Sequence, residues 1–421
     1  MNRKDLSLGV LMLGVGTVIA SCAGPQQHEV DLKTDQVVVD QYLADKPDGA
    51  KKYYAMVPRQ GKRNEVLNHM RAGLAAFELG DIETAHQSFD TAATVIETFY
   101  ADDEKAKAAR SLWTKENAKD FKGEPWERSM LYYYLGLTEL ARGEFDAAAV
   151  AFRNGEYQDS LSEAENFQAD FAMLTWLTGW AGQCKGNDGN ASSQYRDAAR
   201  MNPSFSAPRA GANVLLIGET GGAPEKYADG QNKEAMRVRQ SSNVGPAGVR
   251  FVANGDAVEG SSAESIYFQA STRGGRAVDK ILEGKAEFKD TTGAAGQVAI
   301  ATGASMAMAS AYSGNDNMAY GGLAAMGVGL LLTAAAEAAK PDADLRYWDN
   351  LPDKVWLASV KVPESTESVD VQFVDASGAP VVGSDRAISV TWAGKCGVAW
   401  ARSTSALSVP ERAPNSGVAA K

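Results

Sequence analysis

The sequence predicts an α+β protein in which helical repeats precede a β-containing domain with a Gly/Ala-rich helical hairpin. Three observations predict this class. Glycine, alanine and aromatic residues recur in phase three times between residues 59 and 205. Short runs with alternating apolar residues follow within residues 206–401, as expected of strands. Two uncharged stretches rich in small residues lie within residues 297–339, which predicts a pair of closely packed helices.

Residues 1–21 have the pattern of a signal peptide. Arg3 and Lys4 give the positive start, and an apolar run over residues 6–20 is too short to be read as a spanning helix. The following residues, Ile19, Ala20, Ser21 and Cys22, resemble a bacterial lipobox. The resemblance implies cleavage before Cys22 and attachment of lipid to it. Ala23 then favours the outer membrane by resemblance to sorting in Gram-negative bacteria. The alternative is an ordinary secretory signal with an accidental cysteine.

Residues 22–58 are polar and are predicted to form a tether between the lipid and the folded body. Apolar positions at residues 37–39 and 42–43 indicate that the tether docks in places. Further along, residues 101–128 interrupt the repeats. Trp113, Phe121 and Trp126 favour a packed excursion there, and Pro125 has the right place to begin a helix.

The domain over residues 59–205 consists of three helix–turn–helix units with the same internal plan. Glycine is expected where two helices cross closely and again where the first helix ends in a left-handed residue. Small residues then mark a second close contact, and aromatic rings fill the space between units. The positions in these four classes are Gly73, Gly136 and Gly179; Gly80, Gly143 and Gly186; Ala85, Ala148 and Ala191; and Phe89, Phe152 and Tyr195. This spacing resembles the tetratricopeptide repeat.

By this register, first-helix residues one turn apart face the concave surface of the stack. They are strongly apolar and aromatic, and an exposed patch of this kind usually marks a site for a partner. The predicted partner-binding groove consists of Met70, Leu74, Phe77, Tyr133, Leu137, Leu140, Met173, Trp176 and Trp180. The alternative is that the tether, the insertion or the C-terminal domain of the same chain fills the groove.

Residues 206–401 are predicted to form the α+β domain. Residues 214–217 are wholly apolar and indicate a buried strand, and residues 266–270 are read as a second strand. A helix is expected at about residues 277–285. Alternating runs that begin at Val355, Val369, Ile388 and Val398 predict antiparallel strands of a small sandwich or sheet. Residues 402–421 are polar and are predicted to be a disordered tail.

The hairpin at residues 297–339 has two interpretations. One is a membrane-inserting hairpin over residues 297–336. The other is a helical pair buried inside the domain, which is favoured because the first segment is shorter than the roughly 20 residues needed to span a bilayer. Gln297, Thr302 and Ser305 in the first segment and Asp316 in the connection also favour burial.

Composition excludes several kinds of chemistry. The formal net charge is −11, and an acidic chain without a basic stripe is a poor nucleic-acid binder. The histidines are His28, His69 and His86, so a histidine-dependent nucleophile cannot be assembled within the C-terminal half. The spacing of His, Cys and carboxylates suggests no metal site. Asp and Glu are plentiful, so the sequence leaves carboxylate pairs open. We nevertheless expect no catalytic residue, cofactor, metal or small-molecule substrate.

Two smaller clusters remain. Cys184 and Cys396 lie far apart, and two separate buried thiols are favoured over a disulfide, although an exported compartment would permit pairing. Asp342, Asp344 and Asp349 lie close to Arg346 and Trp348 in sequence. This polar cluster is interpreted as a structural ion-pair turn in preference to a catalytic site.

The order of motifs is similar to that of a family of bacterial lipoproteins with tetratricopeptide-like repeats and no settled function. The matching features after the lipobox are residues 123–128 running into 131–135, Ala223-Pro224 after an apolar strand, the Gly/Ala hairpin, residues 343–348 and Leu351-Pro352. The resemblance covers most of residues 20–375. Residues 365–368 depart from it, because the family often has a glycine-histidine-threonine turn there.

The resemblance implies an envelope location without known catalysis, and some relatives are associated with lipoproteins that assist cell-wall synthesis. Together with the groove, it predicts a non-enzymatic lipoprotein of the outer membrane, facing the periplasm and anchored through Cys22. Its expected role is a scaffold for an envelope protein. The alternative function is a membrane-active or export-associated component that inserts the hairpin at residues 297–336.

Overall fold

The computed structural model describes residues 32, 34–101, 120–160, 171–229, 235–272 and 344–408. Helices dominate up to residue 201 and strands dominate afterwards, so the predicted α+β class is confirmed. The helices are α1 (Gln36–Leu43), α2 (Lys51–Tyr54), α3 (Met56–Gln60), α4 (Glu65–Glu78), α5 (Ile82–Ala101), α6 (Pro125–Arg142), α7 (Phe145–Ser160), α8 (Ala172–Cys184), α9 (Asp188–Met201) and α10 (Ile266–Thr272). The strands are β1 (Val214–Thr220), β2 (Glu225–Asp229), β3 (Ala235–Arg239), β4 (Gly248–Ala253), β5 (Asp256–Glu259), β6 (Ser261–Ser265), β7 (Lys354–Val360), β8 (Ser368–Val374), β9 (Arg386–Ser389), β10 (Thr391–Ala393) and β11 (Cys396–Arg402).

Three helix pairs, α4/α5, α6/α7 and α8/α9, stack in chain order. The first helix of each pair has its predicted glycine directly under an aromatic ring of the second. A Cβ atom on Gly136 would lie 2.3 Å from the ring of Phe152, and one on Gly73 would lie 2.8 Å from Phe89. A Cβ on Gly179 would lie 2.8 Å from the ring of Tyr195. The predicted close crossings are therefore confirmed.

The ends of these helices also follow the sequence pattern. Gly80, Gly143 and Gly186 have φ angles of 78°, 80° and 85°, a left-handed conformation that costs little only for glycine. At the start of α6, Pro125 occupies the first turn, where its missing N–H leaves no hydrogen bond unmade. The Glu127 carboxylate accepts a hydrogen bond from the backbone N–H of Glu124 at 2.7 Å, as in a capping box.

Gly136→Ala is expected to lower the free energy of unfolding by about 1–3 kcal/mol, because the new methyl group overlaps the buried ring of Phe152. The matched control is Gly189→Ala, since Gly189 is also helical but has no atom within 4 Å of the added carbon. There the same change should raise stability by up to about 1 kcal/mol through helix propensity. Urea unfolding of both variants measures the difference. Equal effects at the two positions would contradict a tight crossing at Gly136.

The strands form three sheets. One is five-stranded in the order β10-β11-β1-β7-β6, one is four-stranded in the order β5-β4-β8-β9, and β2 and β3 make a separate hairpin. The predicted strands beginning near Val355, Val369, Ile388 and Val398 are confirmed as β7, β8, β9 and β11, and residues 214–217 lie in β1. β1 is parallel to β11 and antiparallel to β7.

Strand β1 is buried on both faces, which explains its unbroken apolar sequence. Val214 and Leu216 face the four-stranded sheet and pack with Phe251 and Phe373. Leu215 and Ile217 point to the other side and join the core of the helix pairs. The helices, the five-stranded sheet and the four-stranded sheet therefore form three layers. One hydrophobic cluster crosses the boundary predicted between residues 205 and 206, so the helical and β parts share a core.

The predicted second strand at residues 266–270 is wrong, because these residues begin helix α10. Two oxygen atoms supply the hydrogen bonds that a helix start lacks. The Ser265 hydroxyl accepts from the N–H of Phe268 at 3.2 Å, and the Asp353 carboxylate accepts from the N–H of Tyr267 at 3.2 Å. The partner in the second contact lies far away in sequence and therefore gave no local signal.

The described parts of the predicted tether and tail, residues 34–58 and 402–408, are more ordered than expected. From Gln36 onward the tether folds into α1, α2 and α3, and the Tyr54 hydroxyl lies 2.7 Å from the Ser88 hydroxyl of α5. In the tail, a 3-10 helix at Ala406–Ser408 packs against this region. The Tyr53 hydroxyl donates to the Ala406 carbonyl at 2.6 Å. The sequence analysis foresaw docking at residues 37–39 and 42–43, but not the contacts of Tyr53 and Tyr54, whose partners lie far away in sequence.

The expectation of two separate thiols is also wrong, because Cys184 and Cys396 form a disulfide across a sequence separation of 212 residues. The bond joins the end of α8 to the start of β11. Two cysteines this far apart become neighbours only after the sheet has packed on the third helix pair, which sequence spacing does not reveal.

Several predictions lie outside the described residues. They are the signal peptide at 1–21, the lipidation site Cys22, the helix at about 277–285, the hairpin at 297–339 and most of the insertion at 101–128. Phe121 and Trp126, at the described end of the insertion, are buried as expected. Within the described ranges, no helix combines the length and hydropathy needed to cross a bilayer.

Candidate functional site

The predicted partner-binding groove is buried in the structure. The relative exposure of its residues nowhere exceeds 7 %. The prediction of an exposed groove is therefore wrong for all of its residues, which are Met70, Leu74, Phe77, Tyr133, Leu137, Leu140, Met173, Trp176 and Trp180. Their concave surface is covered by the C-terminal part of the same chain, which was the alternative considered from the sequence. Burying so many large apolar side chains stabilises the contact strongly, since each contributes about 1.5–3 kcal/mol.

The centre of the covered groove contains a buried carboxylate. Glu219 follows Leu215 and Ile217 on the helix-facing side of β1. It accepts hydrogen bonds from the hydroxyls of Tyr133 at 3.1 Å and Tyr134 at 2.8 Å. Its carboxylate also accepts from Trp400 Nε1 at 3.0 Å and lies 3.5 Å from Arg402 Nε.

Burial raises the pKa of Glu219, while Arg402 and the three neutral donors oppose that rise. The same burial and the adjacent carboxyl group raise the pKa of both Tyr133 and Tyr134 well above the usual tyrosine value. The two hydroxyls therefore stay protonated and act as donors. This network joins a helix of the second pair to two strands of the sheet and has all of its oxygen atoms satisfied.

A second contact is made by the segment at residues 344–351, which lies against the first two helix pairs. Trp348 is fully buried, with its ring centroid 6.2 Å from that of Phe89 and 5.6 Å from that of Tyr134. Its backbone N–H donates to Glu127 at 2.8 Å. The side chain of Arg71 on α4 donates two hydrogen bonds of 2.8 Å to the Asp349 carboxylate. A loop of this chain thus occupies the place predicted for a partner.

The ion-pair turn predicted around Arg346 is found in part. Arg346 pairs with Asp344 at 2.6 Å, whereas Asp349 pairs with Arg71, and Asp342 lies outside the described residues. Burial alone would raise the pKa of Asp344, but the hydrogen bonds and charge of Arg346 hold that pKa below its usual value. These carboxylates are paired with buried arginines, so they serve the docking of the segment on the helices.

Sequence reasoning missed the wider role of Glu127, whose place in the first turn of α6 suits the positive end of that helix. Its carboxylate accepts a hydrogen bond from Lys226 Nζ at 2.7 Å. The ammonium group lies 5.6 Å from the ring centre of Phe121 and 5.7 Å from that of Trp126. An acidic residue at the start of an apolar helix is a capping signal that the sequence shows. The pairing of Glu127 with Lys226 of β2 is a contact that the sequence does not show.

The third helix pair is closed by the loop that follows it. Trp176 and Trp180 stack with their ring centroids 5.9 Å apart. Trp176 Nε1 donates to the Ser206 carbonyl at 2.9 Å, and the ring of Phe205 lies 6.3 Å away. These tryptophans therefore have internal partners and do not form an open surface.

One part of the interface between helices and sheet remains open. A cleft of about 600 Å³ lies between the first two helix pairs and strands β9, β10 and β11. Two residues of the predicted groove, Phe77 and Leu137, line it. The other lining residues are Glu78, Leu79, Gly80, Ile82, Ala141, Arg386, Ile388, Ser389, Thr391, Val398, Trp400, Ala401, Arg402, Ser403 and Ser405. Its size is that of pockets that hold small ligands or the end of a peptide.

The remaining titratable candidates have structural surroundings. His69 is buried in α4, where burial and the charge of Lys46 lower its pKa to about 4. His86 Nε2 lies 2.7 Å from a carboxylate oxygen of Glu139 on the next helix pair. Among the described residues, no group of His, Cys, Asp and Glu side chains is arranged to hold a metal ion.

Comparisons of the chain with protein-family models, with curated proteins and with solved structures found no match.

Proposed function

We propose that the protein is a non-enzymatic lipoprotein of the bacterial outer membrane, anchored through Cys22 and facing the periplasm, and that it acts there as a protein-binding scaffold. The observation that carries the proposal is the Cys184–Cys396 disulfide. Disulfides form and persist in oxidising compartments and are rare in the cytosol. This agrees with the export signal and the lipobox-like residues at the start of the sequence.

The helix pairs support a scaffold rather than an enzyme. Three in-phase pairs with glycine at each crossing have the plan of tetratricopeptide repeats, whose usual use is to hold other polypeptides. Here the concave side holds residues of the same chain, including Trp348 and Glu219. We therefore assign the contact with an envelope partner to the surface that stays open, which includes the cleft beside Phe77.

Lipidation and location are tested in cells that are fed an alkyne analogue of palmitate. The unaltered chain should carry the label and fractionate with the outer membrane. Cys22→Ala should lose the label and leave the membrane fraction. A Cys22→Ala chain that stays in the membrane would contradict anchoring by lipid alone, and would instead favour insertion of the hairpin at residues 297–336.

Scaffolding is tested by photo-crosslinking in the same cells. Benzoylphenylalanine at Leu79, which is 43 % exposed at the cleft, should crosslink to one defined envelope protein. The control position is Val382, which is fully exposed but does not line the cleft. A scaffold that uses the cleft predicts a product at Leu79 that is absent at Val382. Identical products at both positions would contradict this assignment.

A further inference from the structure

The cleft changes from apolar to cationic along a single strand. Val398, Trp400 and Arg402 are alternate residues of β11 and therefore lie on one face, toward the helices. Trp400 packs edge-on against Phe77 with 5.0 Å between the ring centroids. Leu79 and Ile82 are further apolar residues of the lining, and both keep some exposure. A ligand with an apolar group at one end and a charged group at the other would match this order.

The charged end of the cleft favours an anion. Arg402 is 5 % exposed, and its Nη1 donates to the Asn350 carbonyl at 2.7 Å, while Nε faces Glu219. Its Nη2 has no hydrogen-bond partner within the described part of the chain. Arg386 lies alongside and donates to the Arg402 carbonyl. The one carboxylate in the lining, Glu78, accepts a hydrogen bond from the N–H of Ala406 at 2.6 Å.

Hydroxyl groups in the lining of the cleft favour a peptide over a plain acyl chain as its ligand. Ser389, Thr391, Ser403 and Ser405 line the cleft beside the two arginines. Ser389 and Thr391 are exposed, and a hydrocarbon ligand would offer their hydroxyls no hydrogen-bond partner. Peptide N–H and C=O groups would instead satisfy hydroxyls placed in this way.

We infer that the cleft binds the free C-terminus of a partner polypeptide whose last residue is large and apolar. The terminal carboxylate lies between Arg386 and Arg402, and the last side chain packs on Trp400 and the other apolar lining residues that stay partly exposed. The hydroxyls of the lining pair with the last peptide groups. This inference rests on the proposed scaffold function and specifies the partner's recognised end. Capture of a terminal carboxylate is an established mode of peptide recognition, and ionic hydrogen bonds make it selective.

The test uses the full-length lipidated chain in lipid nanodiscs, applied to an array of peptides with free C-termini. The array varies the last residue, and a matched array carries C-terminal amides. Binding should concentrate on peptides ending in Phe, Leu or Ile, and amidation should weaken it at least tenfold. Equal binding of acids and amides, or absence of any binding on the array, would overturn the inference.

Variants locate the binding in the cleft. Arg386→Gln should weaken the affinity for the tightest-binding peptide at least fivefold. The control is Arg237→Gln, which should leave that affinity unchanged, because Arg237 is an exposed residue of β3 that does not line the cleft. Ile82→Trp, which fills the cleft, should abolish binding while the thermal midpoint stays within a few degrees. Unchanged affinity in Arg386→Gln or Ile82→Trp would place the site elsewhere and overturn the inference.

Dodecanoate, a fatty acid, is tested on the same protein as the alternative ligand of the cleft. If it binds the cleft while none of the peptides does, the recognised chemistry is that of a fatty acid and the inference fails. If the peptide inference fails, the results of the Cys22 labelling and fractionation experiment still hold, because that experiment does not involve the cleft. The proposed location and the proposed ligand can therefore fail separately.

Discussion

Glu219→Ala is expected to lower the free energy of unfolding by about 3–5 kcal/mol, the range for removing one partner of a buried ion pair. The substitution leaves Arg402 as a buried charge without its carboxylate and deprives Tyr133, Tyr134 and Trp400 of their acceptor. Urea unfolding monitored by circular dichroism measures the loss. Because the network joins the helices to the sheet, the variant should also become more sensitive to proteolysis in the native state.

The control for this experiment is Glu259→Ala. Glu259 lies on β5, is 61 % exposed and pairs with Arg250, so its loss should change stability by less than about 1 kcal/mol. Tyr133→Phe removes one donor to Glu219 and should cost about 1 kcal/mol. A loss at Glu219 no larger than that at Glu259 would contradict a role for the buried carboxylate in joining the two layers.

Replacing both Cys184 and Cys396 with serine is expected to lower the free energy of unfolding by about 2–5 kcal/mol. The bond closes a long loop, with a sequence separation of 212 between its ends, and long loops lose the most chain entropy when they are cross-linked in the unfolded state. Thermal unfolding of the chain with and without a reducing agent should reproduce the difference between the native chain and the double variant.

The redox state itself is checked by maleimide labelling under denaturing conditions. Chain purified from an oxidising compartment should have neither Cys184 nor Cys396 open to the reagent before reduction, and both after it. The double serine variant should be insensitive to the reducing agent, which separates the disulfide from other effects of reduction. Two reactive thiols in the exported native protein would contradict the pairing and weaken the proposed location.

The sequence by itself determined the features that depend on residues of the same helix or strand, or of the very next helix. Gly73, Gly136 and Gly179 marked the helix crossings because the ring above each one comes from the very next helix. Gly143 ended its helix because a left-handed residue is a local requirement. The alternating strands and the all-apolar β1 followed from the same short-range periodicity, since burial on one or both faces repeats every second residue.

Only the tertiary structure decided what the helices hold. Arg71 binds Asp349 across 278 residues, and Lys226 binds Glu127 across 99, so neither pair leaves a local pattern. The apolar groove was visible in sequence, but its occupant was not, because an apolar surface gains a similar free energy from covering by its own chain or by another. The pairing of Cys184 with Cys396 was also not visible in the sequence, because only the packing of the sheet on the helices brings their Cα atoms to 5.7 Å.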